Sequence, residues 1–109
     1  MNLNLNYEGF EKYLVHTRYR IDPMGIQYLF EFDNEFGALV IKIEGCSHGY
    51  NDDLWELAIV QWWSPDEYHL VYMNEITGDD NDNDDVYGYL TDKEVRDLLN
   101  KIKELKTTL

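Results

Sequence analysis

The stretch Ile26-Gln27-Tyr28-Leu29-Phe30-Glu31-Phe32-Asp33 decides the fold. Ile26, Tyr28, Phe30 and Phe32 alternate with Gln27, Glu31 and Asp33, and only Leu29 interrupts the pattern. A period of two sets the four large apolar side chains on one face of a strand, which must then be covered. Just upstream, Asp22-Pro23-Met24-Gly25 places Pro second and Gly fourth in a type I turn, so His16 to Ile21 is expected as the other arm of a hairpin. Downstream, Asp33-Asn34-Glu35-Phe36-Gly37 reads as a turn and Ala38 to Glu44 as the next strand. Gly45 to Asp53 reads as a longer loop, Leu54 to Trp63 as a strand, Ser64-Pro65-Asp66-Glu67 as a turn and Tyr68 to Met73 as another strand.

The helix is at the other end of the chain. Thr91-Asp92-Lys93-Glu94 has the form of a capping box, in which the Thr91 hydroxyl accepts from the Glu94 amide and the Glu94 side chain accepts from the Thr91 amide. Val95, Leu98, Leu99, Ile102 and Leu105 follow at helical spacing, and Lys101, Lys103 and Lys106 complement the dipole at the C-terminal end. This predicts one amphipathic helix over 91–106. The fold class is therefore α+β: a meander of about five antiparallel strands over 21–90, with the C-terminal helix packed on one face. Residues 1–20 are ambiguous between helix and strand, because Tyr7, Phe10 and Leu14 have helical spacing while Gly9 breaks it. The plainer expectation for the surplus of aromatic residues is that the helix covers one face of the sheet and this N-terminal segment the other; otherwise an exposed Trp or Tyr beside carboxylates makes a protein-binding surface.

At 109 residues the chain fits one domain, 1–109. Hydrophobic residues are 44% and aromatic residues 15%, enough to build a core and too much for a disordered acidic tail. Against 9 Lys and Arg stand 22 Asp and Glu, a net charge of -13. Direct binding to nucleic acid or to an anionic membrane is therefore disfavoured, and the natural partner is a basic protein surface. The charge is unevenly spread: residues 21–92 carry seventeen carboxylates against Lys42 alone, a net -16, while both ends are slightly basic. One Cys excludes an intrachain disulfide and suits a reducing cytosol. The start, Met1-Asn2-Leu3-Asn4-Leu5-Asn6, has neither the basic nor the apolar region of a signal peptide, and no apolar run approaches the ~20 residues that span a bilayer.

Few motifs carry chemistry. Asp80, Asp82 and Asp84 occupy the first, third and fifth positions of an EF-hand-like loop, but Asp85 stands where Gly is needed and Thr91 where the bidentate Glu belongs. A weak calcium-binding module is an alternative reading of this segment, and a solvated acidic loop a plainer one. His16, His48 and His69 fall in different elements without metal-ligand or acid–base spacing, and Cys46 and His48 are too close in the chain to serve readily as nucleophile and base. No catalytic residue, metal site or cofactor is expected, and the chain is read as a non-enzyme. The candidate partner-binding residues are Asp52, Asp53, Asp66, Glu67, Asp79, Asp80, Asp82, Asp84 and Asp85, with Trp62 and Trp63 as aromatic anchors. Adjacent on a strand, the two Trp must point to opposite faces, so one is expected to be exposed beside Pro65.

Phe32-Asp33-Asn34 with Gly37-Ala38, the Ser47-His48-Gly49 loop, Leu54-Trp55-Glu56-Leu57-Ala58, Tyr68-His69-Leu70-Val71-Tyr72 and Asp85-Val86-Tyr87-Gly88-Tyr89-Leu90-Thr91 carry a resemblance. Over about two thirds of its length the chain resembles small uncharacterised acidic proteins of bacteriophages and prophages of Firmicutes. It departs from their pattern in the extra Asp and Asn residues before Asp85 and in His48, where an aromatic is expected. The resemblance implies a phage context, a host-cytoplasm location and, by class rather than by motif, inhibition of host defence. Together these give the expectation of a phage-encoded inhibitor of the anti-CRISPR, DNA-mimic kind, seated in the basic nucleic-acid channel of a host protein such as a CRISPR effector nuclease. A phage structural or assembly protein that self-associates through a strand edge is the alternative from another class.

Overall fold

The computed structural model describes residues 2–71 and 86–105. The strands are β1 (Leu14–Ile21), β2 (Met24–Glu31), β3 (Phe36–Ile43), β4 (Trp55–Ser64), β5 (Glu67–Leu70) and β6 (Tyr87–Leu90), and the helix is α1 (Asp92–Lys103). Strands β1 to β5 form the antiparallel meander in chain order, and the α+β architecture is as the periodicity implied. The addition is β6, which pairs with β4 through Trp55↔Leu90 and Leu57↔Tyr87 on the edge that β5 leaves free. Four residues containing a glycine, Tyr87-Gly88-Tyr89-Leu90, are too short for alternation to reveal.

Ile26, Tyr28 and Phe30 face the helix, together with Phe36, Ala38 and Val40 of β3 and Trp55, Leu57 and Ile59 of β4. Val95, Leu99 and Ile102 of α1 close this core. The capping box forms as written, with Thr91 Oγ1 accepting from Glu94 N and Glu94 Oε1 accepting from Thr91 N. The helix ends earlier than predicted, at Lys103, and residues 106–109 lie outside the described residues. Leu29, the residue that broke the alternation, points to the other face and is buried there with Val60 and Trp62.

Two expectations are corrected. Ile21 pairs directly with Met24, so Met24 and Gly25 belong to β2 and the turn starts one residue earlier than the type I reading placed it. Pro23 is its third residue, after a cis peptide bond, as in type VI turns. The N-terminal segment covers the helix face rather than the opposite one, since Leu5 and Phe10 join the core of Val95 and Leu99. Tyr28 explains the choice: its hydroxyl donates to Leu3 O and accepts from Leu5 N, drawing residues 3–5 onto its own face. Burial of this ring pushes the Tyr28 phenol above its ordinary pKa.

Lys42, the lone base of the acidic middle, is a core residue, 2% exposed. Its Nζ donates to Asn2 O, Asp53 O and Asp53 Oδ1 and lies over the Trp55 ring, so the buried charge is fully hydrogen-bonded.

Candidate functional site

The antiparallel register of β2, β3 and β4 decides which residues share an end of the sheet. Phe36 pairs with Gln61 and Glu31 with Gly37, so the β2–β3 turn lies beside the last residues of β4. Trp62 N donates to Glu35 O at 2.8 Å and locks the two together.

Adjacent tryptophans divide as alternation requires. Trp62 is buried, its ring 5.0 Å from that of Tyr68 and seated where Gly37 leaves space. A Cβ on Gly37 would come within 2.6 Å of Trp62 Cζ3 and 2.0 Å of Phe30 O, so glycine is the residue that fits. Trp63 is 72% exposed, so it is the one of the pair left open beside Pro65.

Trp63 and Pro65 form one wall of an open cleft of about 620 Å³, and Glu31, Asp33 and Glu35 line it as well. Among the described residues, no base lines this cleft. Asp66 and Glu67 follow Pro65 in the chain, and Glu67 pairs with Ser64. Among the described residues none of these five carboxylates is in a salt bridge or accepts a side-chain hydrogen bond, so each keeps its charge free for a partner.

The turn that carries the carboxylates is held from behind. Asn34 Nδ2 donates to the carbonyls of Ile102 and Leu105 at 2.8 Å, and to that of Lys103 at 3.2 Å, and its Oδ1 accepts from Phe36 N. The side chain thus satisfies the last carbonyls of α1. It also fixes the flanking Asp33 and Glu35 on a rigid support.

Of the residues singled out from sequence, the structure brings Trp63, Asp66 and Glu67 together. It separates Asp52 and Asp53, which precede β4 at its far end, across a ten-residue strand and hence about 30 Å away. Asp53 is moreover engaged: the hydrogen bond from Lys42, with another from Asn2 N, holds its carboxyl below the ordinary range. Asp79, Asp80, Asp82, Asp84 and Asp85 lie outside the described residues. Glu31, Asp33 and Glu35 escaped the sequence reading because each served there as a polar strand or turn residue. Their charge clustering within five positions was the available signal.

A second polar cluster is structural. Glu56 Oε1 accepts from both the backbone amide and the Nδ1 of His48, and this carboxylate, nearly buried on β4, anchors the Gly45–Asp53 loop. Cys46 is exposed and makes no hydrogen bond to His48 among the described residues. No group of three or more His, Cys, Asp or Glu among the described residues is placed to hold a metal ion, and no described helix is long and apolar enough to cross a membrane.

Comparison with protein-family models, with curated proteins and with solved structures finds no match for the chain. The functional reading therefore rests on the cleft itself.

Proposed function

We propose that the chain is an acidic binding module whose partner-facing end is the Trp63 cleft. Its partner is a basic segment of a nucleic-acid-binding protein, and it acts as a competitive inhibitor that takes the place of nucleic acid. The observation that carries this reading is an exposed Trp beside carboxylates that have no ion-pair partner among the described residues, in a cleft whose described lining holds no base. Such a surface offers an arginine both an aromatic face to stack on and carboxylates to receive its planar fork. The negative field speeds encounter, and the desolvated aromatic contact lengthens residence.

The phage context suggested by the sequence resemblance makes a host defence nuclease, a CRISPR effector above all, the first target to try. Purified effector nucleases are incubated with the chain, and both binding and displacement of nucleic acid are measured over a range of salt concentrations. The expected result is inhibition that weakens steeply with salt and is lost in Trp63→Ala and in Asp33→Asn/Glu35→Gln. Affinity unchanged between low and high salt, or inhibition that survives both variants, overturns the reading.

A further inference from the structure

The basic side of this acidic protein has a defined place. Among the described residues β1 is one edge of the sheet and pairs only with β2, from Leu14 to Ile21, so its outer row of backbone N–H and C=O groups has no partner among them. Among the described residues no hydrogen bond reaches that outer side. The strand has eight residues, no proline and one bulge near its start, between Leu14 and His16, leaving a straight run from His16 to Ile21.

The two faces of that run differ. His16, Arg18 and Arg20 share one face, next to Leu29, Gln27 and Gly25 of β2, with no carboxylate at those paired positions. On the other face Tyr19 is 65% and Ile21 is 89% exposed. Neither Arg18 nor Arg20 has a salt bridge or hydrogen bond among the described residues, although the chain carries 22 carboxylates.

We infer that β1 is a docking edge for an extended acidic segment of another protein, added as a seventh strand. Main-chain hydrogen bonds would supply affinity, carboxylates two residues apart would face Arg18 and Arg20, and apolar residues between them would cover Tyr19 and Ile21. Charge argues against a second copy of this chain as the occupant. In antiparallel pairing of two copies centred on Arg18, that residue meets its own counterpart and His16 meets Arg20. Centring on Tyr19 sets Arg18 against Arg20 instead, so arginine opposes arginine in both registers.

The test uses the whole chain, isotope-labelled, and two synthetic peptides, one alternating Glu with Val and one alternating Lys with Val. The expected result is binding of the Glu peptide, with slowed amide exchange confined to β1. The charge-reversed variant Arg18→Glu/Arg20→Glu, whose circular dichroism should match wild type because both sites are exposed, should lose at least about tenfold in affinity for the Glu peptide and gain it for the Lys peptide. Failure to bind the Glu peptide, equal binding of both peptides by wild type, or protection away from β1 overturns the inference. So does a concentration-dependent dimer through β1, or preferential binding of single-stranded nucleic acid by the same arginines.

Discussion

The ammonium of Lys42 lies 4.2 Å from the centroid of the Trp55 indole, inside the molecule. A cation buried in so acidic a chain is held by three oxygens and one aromatic face, and it ties the N-terminal segment at Asn2 and the loop at Asp53 to the middle of the sheet. Trp55 is fixed from its other end by Asp92, which accepts from Nε1 at 2.7 Å at the start of α1. Lys42→Ala removes both the stem that fills this space and the donors, and is expected to cost about 2–4 kcal/mol in urea unfolding. Lys42→Met keeps the stem and should cost less than the alanine variant. If the two variants lose equally, the hydrogen bonds rather than the packing carry the contribution.

The Lys42 contact also makes a pH prediction. An aspartate ordinarily titrates near 3.9, and Asp53 is held below that in the folded state. Because the folded pKa is the lower one, the unfolded chain binds the extra proton, and the contribution is complete above about pH 4 and lost as pH falls through the folded value. The difference in unfolding free energy between wild type and Asp53→Asn should therefore be constant from neutral pH to about pH 5 and shrink below about pH 4. Equilibrium unfolding at a series of pH values checks this.

Asn34 is expected to be a stability residue despite its place in a surface turn. Asn34→Ala removes the side-chain donor to the carbonyls of Ile102, Lys103 and Leu105, although Ile102 O keeps the amide of Leu105, and should cost about 1–2 kcal/mol in thermal unfolding. Asn34→Asp should cost more, since it adds an anion at the negative end of the helix dipole. In both variants the amide exchange of the last turn of α1 should accelerate more than that of its first turn.

The two neighbouring tryptophans should behave oppositely. Trp62→Ala empties a buried site and is expected to cost about 3–5 kcal/mol, whereas Trp63→Ala should change stability by less than about 0.5 kcal/mol while abolishing partner binding. Gly37→Ala should resemble the Trp62 variant, because its Cβ would collide with Phe30 O and the Trp62 ring. Denaturant midpoints of the three variants give the comparison.

Local pattern was enough for the elements. The alternation at residues 26–33 and the helical spacing after Thr91 are properties of backbone geometry, and the turn residues between strands left a meander as the simplest connection. Pattern also separated Trp62 from Trp63, because successive side chains on a strand must diverge. It did not say which of the two would be covered. That depended on Gly37, twenty-five positions away, leaving room for one ring. The burial of Lys42, the side taken by the N-terminal segment, the place of β6 and the meeting of Glu31, Asp33 and Glu35 with Trp63 were likewise decided by tertiary pairing. The physical reason is the register of β2, β3 and β4: hydrogen bonds between distant residues, such as the pairing of Phe36 with Gln61, determine which charges become neighbours. Thus, of the carboxylates in the -16 middle read from the sequence, Asp53 is committed to Lys42 at one end of β4, while Glu31, Asp33 and Glu35 share a cleft with an exposed tryptophan at the other.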